Sequence, residues 1–373
     1  MSLDARRDPA LRRRGVLIAV LLAASGLSAG CIDGQTPAGP SSIAVDPSGR
    51  YAYVANQHAN TVSAYRIDLL SGAWSELAGS PYRAGTRPVS VELDPFGKFA
   101  YVANQRSSDV SAYRVDAATG ALSAVPGSPF RSGLNPRRVT IDSARRFAYV
   151  ASSSSGVWAY RIDAASGALA AIPGSPFPAG RGAAVVTIEP LGRFAYTVNP
   201  LANNVSAYRI DAATGALSAV PGAPFEAGRF PSAMAVDRSG RFAYVANLSS
   251  NDISAYRIDR NTGALKPVAR ARFPVGTAPA ALCTAPAGRF IYVANRGSDD
   301  ISAYRIDDVT GMLVPVPGSP FAAGRSPRSV TVEPGGRFAY VAGFGSEGVS
   351  RYIVDEASGA LAATNASLRA AIR

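Results

Sequence analysis

Seven times along this chain a tetrad of the form Tyr-Val-Ala-Asn returns at nearly constant intervals. Its tyrosines are Tyr53, Tyr101, Tyr149, Tyr196, Tyr244, Tyr292 and Tyr340, spaced 48, 48, 47, 48, 48 and 48 residues apart. A length of 373 residues alone suggests two or three independent domains, but self-similarity at a fixed period overrides that expectation. Whatever this chain folds into must be built from seven copies of one unit.

Each unit carries four short segments of β type. In the second they are 89–94, 98–104, 109–116 and 121–125, separated by Asp94-Pro95-Phe96-Gly97, the polar 105–108 and Asp116-Ala117-Ala118-Thr119-Gly120. These separators have turn chemistry. The fourth segment runs into Pro126-Gly127-Ser128-Pro129-Phe130, and proline restricts it to a sheet edge, so it is the outermost. In Phe99-Ala100-Tyr101-Val102-Ala103 the aromatics face one way and Ala100 and Val102 the other. Both faces are apolar, so one small sheet must be covered on both sides. A closed ring of such sheets satisfies every copy, which gives an all-β, seven-bladed β-propeller with four antiparallel strands per blade over residues 41–366. No segment holds a helical period for ten residues, which excludes helical repeats.

The first thirty residues read as a signal peptide. Arg6, Arg7, Arg12, Arg13 and Arg14 precede the wholly apolar run 16–24, which is too short to span a bilayer. Leu27-Ser28-Ala29-Gly30-Cys31 resembles a bacterial lipobox, although Ser28 stands where leucine is preferred. That resemblance implies lipidation at Cys31, a linker over 31–40 and a protein exported to the periplasm or an outer surface; an ordinary secretory signal is the alternative. Arg13-Arg14 also suits twin-arginine export. Residues 367–373 form a short tail.

Motifs of the form Asp-Pro-Ser-Gly-Arg-Phe-Ala-Tyr-Val-Ala-Asn and Ser-Ala-Tyr-Arg-Ile-Asp…Thr-Gly-Ala-Leu resemble the YVTN-repeat proteins and the lactonase family of seven-bladed propellers, similar to bacterial 6-phosphogluconolactonase. The resemblance covers about residues 40–366. It implies a propeller fold and, for activity, hydrolysis of a sugar lactone. The shared motifs are the structural repeat itself, so they name no catalytic position.

Function must therefore be sought in what departs from the repeat. Of 32 aromatic residues, 27 recur at fixed blade positions and read as core, leaving Trp74, Phe96, Trp158, Phe230 and Phe344. Alternating strand directions place the loops after the second and fourth strands on one face, here called the top. The connections entering each first strand hold Arg83, Arg87, Arg131, Arg137, Arg138, Arg181, Arg229, Arg325 and Arg328 against one acid, Glu226. The chain's net charge is +12, of which the first thirty residues carry +3. The rest of the excess thus sits in one set of loops, where it would concentrate anions. Guanidinium groups bind carboxylates and phosphates in bidentate fashion.

These considerations single out Arg87, Arg106, Arg137, Arg138, Arg181, Arg229, Arg296 and Arg328 for ligand binding, with Phe230, Trp158 and Phe344 as aromatic contacts. Trp158 stands where other blades have Ser, beside a top loop one residue short, so filling that space is its other reading. His58, the single histidine, is available as a general base. Glu226 and Arg229 complete a catalytic set if the chain is a lactonase. The asparagines ending the second strands (Asn56, Asn104, Asn199, Asn247 and Asn295) read as left-handed turn residues. Cys283 reads as a small buried residue.

One histidine and two cysteines exclude a structural zinc site, no cofactor motif occurs, and no metal is expected. The arginines lack the interleaved aromatics of single-strand nucleic-acid binders. The expectation is a monomeric, lipid-anchored propeller that binds an anionic small molecule (a sugar acid or phosphate) or a protein partner at its top face. A periplasmic lactonase is the alternative.

Overall fold

The computed structural model describes residues 39–344, 348–364 and 368–369. The proposed leader, Cys31 and most of the linker after it lie outside the described residues. Within them the chain forms seven antiparallel sheets, each assembled from one continuous stretch. Blade 1 is Ser42–Val45, Tyr51–Asn56, Thr61–Ile67 and Trp74–Glu76, in that order from the inner edge outward. Blade 2 repeats it as Pro88–Leu93, Phe99–Asn104, Asp109–Val115 and Leu122–Ala124, within two residues of the sequence expectation. The remaining inner strands are Pro136–Ile141, Val185–Ile188, Pro231–Val236, Pro279–Thr284 and Pro327–Val332.

The outer edge is more finely divided than four strands imply. After a Gly-Ser-Pro turn, a two-residue strand such as Tyr82–Arg83 or Phe130–Arg131 returns to pair with the third strand. Blade 5 lacks that turn, with Ala269-Arg270-Ala271 in its place, and its outer strand runs unbroken over Leu265–Pro274.

Seven hydrophobic clusters fill the seams. Phe99, Tyr101 and Val110 of blade 2 pack on Val139, Ala148 and Val150 of blade 3. The same scheme closes the ring, where Ile43, Val54 and Trp74 of blade 1 meet Tyr340, Ala342 and Val349 of blade 7. Each seam also carries a repeated hydrogen bond from the tetrad. The tyrosine hydroxyl of the tetrad donates to a glycine carbonyl of the following blade, from Tyr53 to Gly120 (2.8 Å) through to Tyr340 and Gly72 (3.2 Å). Glycine is required there: Gly120 has φ +75°, and a Cβ would lie 2.4 Å from the Tyr51 ring. No strand from outside blade 7 completes it among the described residues. Gly39 instead enters along its top edge, where a Cβ would meet the Gly343 carbonyl at 2.5 Å.

Two expectations change. The tetrad asparagines are not the left-handed residues. Asn104 is buried and its Nδ2 bridges its own hairpin, donating to Asp109 Oδ1 (2.7 Å) and Ser111 Oγ (2.8 Å). Positive φ falls four residues later, at Asn60, Ser108, Asn203, Asn251 and Asp299, where the hairpin turns. Cys283, in turn, is only half-buried, because its inner strand lines the central channel.

Candidate functional site

The seven inner strands enclose a channel of 380 Å³. Two local features govern what reaches its top. The residue before each inner-strand proline is left-handed: Arg87 (φ +61°), Asn135 (+55°), Phe230 (+55°), Ala278 (+54°) and Ser326 (+51°). Such a backbone is unfavourable for non-glycine residues. A side chain of the preceding top loop offsets this by accepting the N–H, as Asn60 Oδ1 does for Arg87 at 2.7 Å. Then a β-bulge follows the proline in blades 2, 3, 5, 6 and 7, so Val89, Arg137, Ser232, Ala280 and Arg328 stand outside the ladder. Bulges re-aim side chains. Here they turn Arg137 and Arg328 into the channel.

Arg87, Arg137, Arg296 and Arg328 form a cluster of like charge at this mouth. Burial and then Arg296, Arg137 and Arg87 push the Arg328 pKa down to about 10, and its Nε is buried without a hydrogen-bond partner. Arg137 is open to channel solvent but walled in by protein, and that enclosure plus Arg87 also lowers its pKa. All four side chains offer hydrogen-bond donors and no acceptor. Among the described residues none of them forms an ion pair with a carboxylate. With the Gln57 amide oxygen turned toward it, Arg87 donates to that oxygen through Nε and Nη2. The Arg328 guanidinium lies 4.6 Å over the Phe344 ring. The other neighbour of Phe344 is His58, with ring centroids 5.4 Å apart. Blades 1, 2, 3, 6 and 7 therefore contribute side chains to one arginine-rich, aromatic-flanked mouth.

Below it, Arg138 Nη2 stands 3.9 Å from Glu92 Oε2. Sequence reading missed Glu92. Burial raises its pKa, with Arg138 opposing. The signal was present: at its inner-strand position the other blades carry Ala44, Thr140, Thr187, Ala235, Cys283 and Thr331. Enclosure in the channel pushes the Cys283 thiol up to about 12, leaving it protonated at neutral pH.

Other predicted residues are not brought here. Glu226 is exposed on a two-residue strand at the outer edge of blade 4, paired with Asn204. Arg229 is exposed and Phe230 half-buried on the connection to blade 5, across the ring from His58. Arg106 is exposed in the blade 2 top loop. Arg181 lines a separate 400 Å³ cleft with Ser153, Phe177 and Leu201. Trp158 packs in the seam between blades 2 and 3, against the cluster that includes Val89 and Phe130. It arrives by a coupled exchange: where blades 1, 2, 4, 5 and 6 pair an asparagine with a serine, blade 3 has Ser152 and Trp158. Among the described residues no three of His, Cys, Asp and Glu group as a metal site.

A family model described as Lactonase, 7-bladed beta-propeller, matches residues 23–129, 122–278 and 270–371. A comparison with curated proteins returns no match. Among solved structures, a candidate 6-phosphogluconolactonase of Bacteroides fragilis superposes with a TM-score of 0.72 at 19% identity, covering 91% of this chain and 97% of that one. The periplasmic gluconolactonase PpgL of Pseudomonas aeruginosa gives 0.66 at 22% identity, over 76% and 86%. Hydrazine synthase of Kuenenia stuttgartiensis gives 0.68 at 19% identity, over 88% and 99%. Likeness at these identities carries the fold alone.

Proposed function

Because this chain belongs to the lactonase family of seven-bladed β-propellers, we propose that it hydrolyses a lactone bearing an anionic group, bound at the arginine-rich mouth of the channel. The observation that carries this reading is the convergence of Arg87, Arg137, Arg296 and Arg328, unpaired among the described residues, beside the only imidazole. Buried or crowded charge without a partner is costly, and a bound anion relieves it.

In this reading Arg137 and Arg87 hold the anionic group, and Arg328 faces the lactone carbonyl. His58 takes a proton from water as its oxygen attacks that carbonyl carbon. Arg328 stabilises the resulting oxyanion. The ring C–O bond then breaks, the ring oxygen receives the proton from His58, and a hydroxy acid leaves. Its new carboxylate is again a ligand for arginine. Glu226 and Arg229 have no place in this scheme. The names of two structural neighbours favour aldonolactones as first substrates to try. Export and lipidation at Cys31 belong to the same reading; a Cys31→Ser protein should then be released from membranes, and continued membrane retention counts against the anchor.

The test is proton release from glucono-δ-lactone and its 6-phosphate at neutral pH. His58→Ala should lower kcat about 100-fold or more with KM little changed. An unchanged kcat would remove His58 from the chemistry. No turnover of any lactone by the wild-type protein would leave an anion-binding propeller instead.

A further inference from the structure

The two ends of the ring present different charge patterns to solvent. On the floor, the turn between the third and fourth strands of each blade is built on an aspartate, from Asp68 and Asp116 to Asp355, whose carboxylate accepts N–H groups of that turn. Those bonds hold each pKa below the ordinary 3.8, so every blade shows the floor solvent a negative charge. Floor arginines are tied to carbonyls of neighbouring blades, as Arg114 is to Ala165 (2.6 Å) and Arg209 to Asn261 (2.8 Å).

The top differs. Arg83, Arg106, Arg131, Arg181, Arg229 and Arg325 are exposed there, and among the described residues none forms an ion pair with a carboxylate. Three top-loop acids are engaged within their own hairpins: Asp109, Asp252 and Asp300 accept from Asn104, Asn247 and Asn295 at 2.7, 2.6 and 2.6 Å. Glu226 and Asp299 are the exposed exceptions. The six arginines are spread around the rim, in the connections leaving blades 1, 2, 3, 4 and 6 and in the blade 2 top loop. A small anion can meet one or two of them, whereas a flat sheet of phosphates can meet all six at once. We propose that the top face docks on an anionic lipid bilayer, with the rim arginines on headgroup phosphates and the mouth turned toward the membrane. Arg137 and Arg328, which line the channel, take no part in this contact. The aspartate-bearing floor is repelled by the same surface, which fixes the orientation. The chain also enters the ring on this face, where Gly39 lies against the backbone of Gly343 and Phe344. The eight residues from Cys31 to Ala38 reach at most about 30 Å, so an anchor at Cys31 would hold the same face. The inference requires neither that anchor nor the lactone reading.

Flotation of the full chain with phosphatidylcholine vesicles, without and with about 40 mol% phosphatidylglycerol, tests it. Partitioning should rise with phosphatidylglycerol and fall at least tenfold between about 0.05 and 0.5 M salt, which screens exposed charge but leaves a lipid anchor in place. The release expected of Cys31→Ser is therefore read at the higher salt. Arg131→Gln with Arg181→Gln and Arg229→Gln should weaken partitioning about 30-fold or more, each arginine near an anionic leaflet contributing about fivefold. Arg238→Gln with Arg260→Gln and Arg305→Gln removes the same charge from the exposed floor and should change it by less than twofold. Equal losses for the two triple variants, or binding indifferent to phosphatidylglycerol, overturn the inference. Displacement from the vesicles by soluble polyphosphate at equal phosphate concentration overturns it as well, and assigns the rim to a soluble polyanion.

Discussion

The floor of the ring and its mouth are both rich in arginine, and they use it in opposite ways. On the floor, Arg241 lies 5.5 Å over the Phe242 ring, donates through Nε to Ser239 Oγ at 3.0 Å and through Nη2 to the Asp308 carbonyl of the next blade at 2.5 Å. Arg257 lies over the same ring at 5.0 Å and donates to the Val309 carbonyl at 2.9 Å. The pattern recurs at Phe147 with Arg146 and Arg161, and at Phe194 with Arg193 and Arg209. Here planar guanidinium groups act as fasteners between blades, stacked and hydrogen-bonded. At the mouth, Arg87, Arg137, Arg296 and Arg328 repel one another. One set serves the fold; in the function proposed above, the other serves a ligand. Arginine content alone would never have distinguished them.

The sharpest way to break this contrast is the pair Arg137→Ala with Arg328→Ala. Loss of two charge-assisted contacts should weaken carboxylate binding by about 100-fold or more, while relief of like-charge crowding raises the thermal midpoint. Calorimetry and a melting curve on one sample read both; a fall in both would place these arginines with the floor set. Next in size is Arg241→Ala, expected to cost about 1–2 kcal/mol of stability through lost stacking and hydrogen bonds. Carboxylate affinity should not move, and a change of more than twofold would mean that the floor and the mouth are coupled. The smallest effect concerns Arg138, the intermediate case, which has Glu92 as partner. Because the folded-state pKa of Glu92 lies above its ordinary 4.5, the folded protein binds the proton more readily than the unfolded chain. Its ionisation therefore costs stability at neutral pH, and that cost fades as pH falls toward 4.5. Glu92→Gln should flatten the stability-against-pH curve across that window. An unaltered slope in chemical denaturation would refute the raised pKa.

The fold was legible in the sequence because a fixed period and a strand with two apolar faces leave few closed solutions. Even the outermost position of the fourth strand followed from Pro126. The site was legible only in part. All nine arginines entering the first strands look alike in sequence, and what selects Arg137 and Arg328 is the bulge after Pro136 and Pro327. That is a property of register, which a run of residue types does not spell out. His58 and Phe344 stood out as departures from the repeat, but their contact depends on blade 7 meeting blade 1. Glu92 departed from the repeat too, and went unnoticed because it sits within a strand rather than a loop. Trp158 was visible as an exception, yet only its coupling to Ser152 and the cluster around it show which seam it fills.

The closing seam has one more implication. Arg369 opposes Gly348 as Arg83 opposes Thr61, and Gly39 precedes Pro40 as Arg87 precedes Pro88. Although Gly39 and Arg369 are hundreds of residues apart along the chain, they occupy repeat positions only four apart. The ring thus has no privileged origin. A circularly permuted chain, opened between Arg131 and Asn135 and spliced between Arg369 and Gly39, has the same seams available to it. New termini could in this way be moved to any sector, leaving the mouth intact.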